Sequence, residues 1–116
     1  MGDSALVKLP ARDPLGGVTP DVFIGKLRDL LRGRVCEAYI FGSFGTERFG
    51  QYSDVDVLLV LETDRPFLER PLEFADIMDM APSMDLLVYT PEELSCLLKE
   101  DTGFWGSVKE NMLRVL

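Results

Sequence analysis

Histidine does not occur among the 116 residues of the chain. Its absence excludes Ser-His-Asp triads, Cys-His nucleophiles and histidine-ligated zinc sites. Cysteine is scarce, and the two present, Cys36 and Cys96, are far apart and form no CxxC pair. Each lies in an apolar stretch, so we expect both to be small core residues of a protein in the reducing cytoplasm.

Basic residues are also few. The chain has 12 Lys and Arg against 20 Asp and Glu, a net charge of −8. Proteins that follow a long nucleic acid carry a basic stripe, and no Lys/Arg cluster occurs here, so long nucleic acid is not the expected partner. No apolar run is long enough to span a bilayer, and the N-terminus lacks the apolar core of a signal peptide. We therefore expect a cytoplasmic protein that does not contact the membrane.

The remaining composition is that of a globular protein. Hydrophobic residues make up 47% of the chain and charged residues 28%, which fits one domain with one core. Residues 1–18 are rich in proline and glycine and show no clear period, so we interpret them as an arm or loop. We place the domain at residues 19–116, with Thr19 as a helix cap and Pro20 at the first helical position.

Hydrophobic spacing predicts the element order α-β-(short α)-β-α-β-α-α, a single α/β domain. The first helix carries its apolar face on Phe23, Leu27, Leu30 and Leu31. A short helix or turn is predicted over 44–50, and a capping box at Thr90–Glu93 begins a later helix. The predicted strands are 35–41, 55–61, 84–89 and a short one over 113–116, and a further helical segment is predicted over 66–80.

Two carboxylates stand at the start of the clearest strand. Asp54 and Asp56 are two residues apart, so their side chains share one face of the strand. Two ionised carboxylates at this spacing repel each other, and a divalent cation would offset the repulsion. Oxygen ligands favour Mg²⁺ or Mn²⁺. Alternatively, the pair is structural and solvated, as Asp residues in turns commonly are.

Gly42-Ser43 supplies a second signal, directly after a predicted strand. Glycine lets backbone amides approach a phosphate closely, and free amides with a serine hydroxyl make an anion site, although the dipeptide alone is more often a plain turn. A third carboxylate, Asp85, lies in an apolar strand, where an unpaired charge is costly. Its alternative role is to cap a turn after Pro82-Ser83. Three carboxylates with a phosphate cradle favour two-metal phosphoryl or nucleotidyl transfer, with Asp85 as a candidate base.

These motifs together resemble the minimal nucleotidyltransferases of the DNA polymerase beta superfamily. The resemblance lies in Gly42-Ser43-Phe44-Gly45, the ten-residue spacing to Ser53-Asp54-Val55-Asp56, and Asp85 on a later strand. It implies a small mixed β-sheet flanked by helices. It also implies Mg²⁺ or Mn²⁺ at Asp54, Asp56 and Asp85, which would be the catalytic residues, and ATP or another NTP bound by Gly42, Ser43 and Ser53.

Members of this family transfer a nucleoside monophosphate, often AMP from ATP, to a hydroxyl group. Some are antitoxins that modify a HEPN-type helical partner, so the resemblance implies such a partner, or a homo-oligomer, to complete the acceptor site. Many members have an Arg-Gly pair shortly after Gly-Ser, where this chain has Thr46-Glu47. That departure favours an alternative, a binding module that neutralises its partner by contact. A metal-dependent nuclease is a third reading, which the triphosphate cradle disfavours.

Overall fold

The computed structural model describes residues 13–44, 49–50, 53–99 and 103–116. Most of the predicted short helix or turn over 44–50, including Thr46-Glu47, lies outside these residues, as do the first twelve residues of the predicted arm. Residues 13–18 form a loop whose Leu15 is buried in the core. The division of the chain at residue 19 stays a prediction.

The first helix, α1, spans Pro20–Leu31 and begins as predicted. The Thr19 hydroxyl accepts a hydrogen bond from the Val22 amide at 3.3 Å, and Pro20 occupies the first turn, where its missing N–H costs nothing. Phe23, Leu27 and Leu31 are fully buried, but the prediction that Leu30 shares their face is wrong, because that side chain is 41% exposed. The buried stripe repeats every four residues, and Leu30 lies beside it.

Four strands form one mixed sheet in the order β3-β2-β1-β4. β1 is antiparallel to both β2 and β4, whereas β2 and β3 are parallel. β2 is buried on both faces apart from Asp56, as expected for a central strand with helices on each side. The predicted strands are confirmed. β3, Met84–Tyr89, has the predicted bounds, and one end of each other strand is one or two residues inside its predicted bound: β1 is Glu37–Phe41, β2 Val55–Val60 and β4 Leu113–Arg114.

The connection from β2 to β3 is helical, as predicted, but it is not one regular helix. A 3₁₀ segment, Phe67–Phe74, runs directly into the short α-helix α2, Ala75–Met78. Pro71 lies inside the 3₁₀ segment, and because proline has no N–H to donate, it disfavours a continuous α-helix there. α3, Pro91–Leu98, begins with the predicted capping box, and α4 spans Gly103–Asn111.

The core has two layers, one on each face of the sheet. α1, Phe74 and Ile77 cover one face, where they contact alternate residues of β2 such as Val57. α3 and α4 cover the other face, which carries Leu58. The predicted fold, a small mixed sheet flanked by helices, is confirmed. None of the helices formed by the described residues is both long enough and apolar enough to cross a membrane.

The two cysteines were expected in the core, and this prediction is wrong, because both are exposed. Cys36 lies just before the first residue of β1. Cys96 lies two residues after Leu94, the buried residue of α3, and two residues turn a helix by about 200°. An apolar neighbourhood in sequence therefore did not specify the buried face.

A buried arginine joins the 3₁₀ segment to the end of β3 and the start of α3. Arg70 is 7% exposed; its Nη1 donates to the Val88 carbonyl at 3.0 Å and lies 2.6 Å from Glu93 Oε1. The same Glu93 oxygen accepts from the Thr90 amide in the capping box at 2.8 Å. The hydrogen bond from Arg70 is the main cause that lowers the pKa of Glu93 from 4.5 to about 2.

We expect Arg70→Met to destabilise the protein by about 2 kcal/mol, because it leaves the Glu93 carboxylate without its main partner. The loss is smaller than for a fully buried pair because the Glu93 side chain is 44% exposed. The folded-state pKa of Glu93 lies below its ordinary value, so its stabilisation is present above pH 4.5 and is lost as pH falls towards 2. Urea unfolding at pH 7 and pH 3 should therefore show a smaller pH effect in Arg70→Met than in the wild type.

The matched control is Arg32→Met, which removes an exposed i,i+3 pair with Asp29. We expect it to cost less than about 0.5 kcal/mol, as exposed ion pairs do. Equal losses in the two variants would contradict the role given to Arg70.

Candidate active site

The parallel register between β2 and β3 brings the predicted carboxylates together. Asp56 is the register partner of Asp85, so the two side chains lie side by side on one face of the sheet. The Val55 amide donates to the Ser83 carbonyl at 3.0 Å, which continues the pairing one step before β2 and sets Asp54 opposite Ser83. Four polar residues thus form a two-by-two array at the start of these strands.

A cavity of about 480 Å³ opens over this array. All three predicted carboxylates line it, at the end of the sheet face that α3 and α4 cover further along. Asp54 and Asp85 are exposed and Asp56 is half-buried. The apolar part of the wall comes from the end of β1 and the middle of β3, namely Phe41, Leu86 and Leu87.

Asp56 is the electrostatically unusual member of the site. Burial raises its pKa from 3.8 to about 6, and the neighbouring Asp85 carboxylate and then that of Asp54 add to this effect. Removing water from a carboxylate and placing a second negative charge nearby both favour its neutral form. Holding Asp56 ionised in these surroundings therefore costs free energy, and a bound cation would reduce that cost.

Gly42 lies against this carboxylate. Its φ is +80°, in the left-handed region where glycine is favoured, and a β-carbon at this position would overlap Asp56 Oδ2. The antiparallel register places Phe41 opposite Asp56, which explains the close approach of the next residue. The predicted phosphate cradle thus begins beside the predicted metal-binding residue.

The two serines predicted to bind nucleotide have different surroundings. Ser43 is half-buried and follows Gly42 in the same turn. The Ser53 hydroxyl accepts from the Gly50 amide at 2.9 Å, two residues before β2 begins. Roles for Ser43 and Ser53 in holding a triphosphate stay predictions.

The chemical type of the oxygen donors in this array suits a divalent cation. Carboxylate oxygens are the donors that Mg²⁺ and Mn²⁺ prefer, and the repulsion around Asp56 is of the kind a cation offsets. Within the described ranges, no group of three or more Asp, Glu or Cys side chains is arranged to hold a metal ion. The donor set fits in type, and binding would require Asp54, Asp56 and Asp85 to draw together.

From the sequence, Ser83 is expected only to belong to a turn. In the structure its hydroxyl donates to Asp54 Oδ1. A signal for this contact was present, because Asp54 and Ser83 are 29 residues apart, the same separation as the register partners Asp56 and Asp85. The signal becomes readable only if strands 55–61 and 84–89 are assumed to pair in parallel.

Comparison with known proteins identifies a family for the chain. The chain matches a family model described as a nucleotidyltransferase domain over residues 21–113, a range that runs from the second residue of α1 to the first residue of β4. No curated protein and no solved structure showed significant similarity to the chain.

We expect Gly42→Ala to destabilise the metal-free protein by about 2 kcal/mol, since it adds both a left-handed residue and an overlap with Asp56. The control is Gly33→Ala, which has the same φ of +80° but open space around the new methyl group. Thermal unfolding in EDTA should show the smaller loss for Gly33→Ala. Equal losses would mean that the contact with Asp56 adds nothing to the backbone cost.

We expect Asp56→Asn to stabilise the metal-free protein at pH 7 by about 1 kcal/mol, after allowance for solvent screening. The folded-state pKa of Asp56 is raised to about 6, so this group favours folding below pH 3.8 and loses that contribution as pH rises through 6. The gain should therefore shrink between pH 7 and pH 4 in EDTA. The exposed Asp64→Asn is the control, and an Asp56→Asn protein no more stable than the wild type at pH 7 would contradict the assignment.

Proposed function

The chain belongs to the nucleotidyltransferase domain family, and on that basis we propose that it transfers AMP from ATP to a hydroxyl group of a partner protein or small molecule. Membership of the family implies a nucleoside triphosphate substrate and a divalent metal in general. We further propose that the nucleotide is ATP, that the metal is Mg²⁺ or Mn²⁺ acting in a two-metal mechanism, and that the protein works in the cytoplasm.

The observation that supports this proposal best is the pairing of Asp56 with Asp85 across parallel strands, in one cavity with Asp54 and with Gly42 against Asp56. Structural carboxylates of a solvated turn have no reason to face a second carboxylate on a neighbouring strand. The arrangement raises the pKa of Asp56 to about 6, a cost that a cation-binding role explains.

In the proposed reaction, the acceptor oxygen attacks the α-phosphorus of ATP, the bond from that phosphorus to the bridging oxygen breaks, and pyrophosphate leaves. Asp54, Asp56 and Asp85 would hold the divalent metal, which when bound neutralises phosphate charge and acidifies the attacking hydroxyl. Gly42 and Ser43 would bind the triphosphate, and Ser53 would support them. Asp85, exposed in the cavity, is the proposed acceptor of the hydroxyl proton.

The proposed acceptor is supplied from outside the chain. A cavity of about 480 Å³ has the size of a single small-molecule site, so it would be occupied largely by the nucleotide. A HEPN-type helical protein is the proposed partner, and a homo-oligomer is the alternative source of an acceptor surface. The net charge of −8 would favour a basic partner surface.

A second candidate function is a binding module that keeps the fold and neutralises its partner by contact. The observation that favours it is that no three-carboxylate group of the described residues is arranged to hold a metal ion. The sequence also favours a binding module, because Thr46-Glu47 stands where many family members have Arg-Gly.

One assay separates the two candidates. The protein is incubated with Mg²⁺ and with proteins from the cells in which it is naturally expressed. Parallel reactions contain ATP labelled at the α-phosphate or at the γ-phosphate. We expect transfer of the α-label with release of pyrophosphate and no transfer of the γ-label. Asp54→Asn/Asp56→Asn should lower the transfer by about 100-fold or more, because it removes two carboxylates from the metal site.

Asp64→Asn, an exposed carboxylate outside the cavity, is the matched control and should transfer as the wild type does. Equal transfer by the wild type and the double variant would refute the catalytic proposal. If neither transfers label but both retain the partner in pull-down, the binding module is the correct function.

A further inference from the structure

We propose that Ser83 is a positioning residue of this site, whose hydroxyl holds the Asp54 carboxylate on the face where Asp56 and Asp85 lie. The inference deepens the proposed function, since it assigns a fourth residue to the same metal-binding array. It does not require that any particular acceptor be correct.

Two contacts tie Ser83 to the start of β2. Its carbonyl accepts from the Val55 amide at 3.0 Å, and its hydroxyl donates to Asp54 Oδ1. The first contact fixes the backbone of residue 83 relative to β2, and the second then fixes the side chain of Asp54 relative to β3. Pro82 restricts the backbone that leads into this residue.

Asp54 is the carboxylate that most needs such a contact. It precedes β2 and is exposed, so strand pairing alone does not hold its side chain over the array. The negative charges of Asp56 and Asp85 repel it. A hydroxyl donor opposite Asp54 counters that repulsion without adding a charge.

The arrangement of residues along β3 also supports a positioning role for Ser83. Asp85 occupies the corner opposite Asp56, and Ser83 occupies the corner opposite Asp54. A fourth carboxylate at that corner would add a further negative charge to an array that already raises the pKa of Asp56. A neutral group that can donate one hydrogen bond suits the corner, as do the residues that orient metal-ligating carboxylates elsewhere.

The test measures Mn²⁺ binding to the full chain by the electron paramagnetic resonance signal of free Mn²⁺, without nucleotide. We expect Ser83→Ala to weaken Mn²⁺ binding about tenfold, as loss of a contact that orients a metal ligand typically does. Ser83→Thr keeps the hydroxyl and should stay within about threefold of the wild type. Ser95→Ala, on the exposed side of α3, is the control and should bind as the wild type does.

A merely structural role predicts a different pattern, in which Ser83→Ala lowers the unfolding temperature in EDTA while the folded protein binds Mn²⁺ normally. Wild-type affinity in folded Ser83→Ala, equal weakening in Ser83→Ala and Ser83→Thr, or no Mn²⁺ binding by the wild type would each overturn the inference. The labelling assay judges the proposed function separately. A wild type that binds Mn²⁺ and transfers no label would refute that function, and the Ser83 comparison would still decide the inference.

Discussion

The parallel register between β2 and β3 is the constraint on which the rest of the site depends. It sets Asp56 opposite Asp85 and, one step earlier, Asp54 opposite Ser83. Because side chains alternate between faces, a slip of one residue would move a whole set of side chains to the other side of the sheet. Such a slip would carry Asp56 to the face where Val55 and Val57 are fully buried, and burying its carboxylate there is costly, so the packing of the core also specifies the geometry of the carboxylates.

The mixed character of the sheet has a direct consequence for chemistry. The antiparallel pairing of β1 with β2 places Phe41 opposite Asp56 and brings Gly42 against its carboxylate. The parallel pairing on the other side of β2 brings Asp85 to the same carboxylate. The turn predicted to bind phosphate and the second carboxylate predicted to bind metal therefore meet at Asp56 from two directions, one through each kind of strand pairing.

The site and the scaffold have opposite electrostatic characters. Around Asp56, burial and like charges raise a carboxylate pKa to about 6, and the arrangement costs stability without a cation. At the other end of β3, Arg70 lowers the pKa of Glu93 to about 2 and ties three elements together. The scaffold contact ties the far end of β3, whose second residue is Asp85, to the 3₁₀ segment and to α3.

Local pattern was enough to predict the strands, the capping box at Thr90–Glu93, and the shared face of Asp54 and Asp56, because each depends on residues a few positions apart. It also led to the correct family through the spacing of Gly42-Ser43 and the Asp pair. Local pattern misplaced the cysteines and did not reveal Ser83, because solvent exposure and strand register depend on segments that meet only in the folded chain. The pairing of residues 29 apart in sequence, which sets Ser83 against Asp54, was decided by the tertiary structure alone.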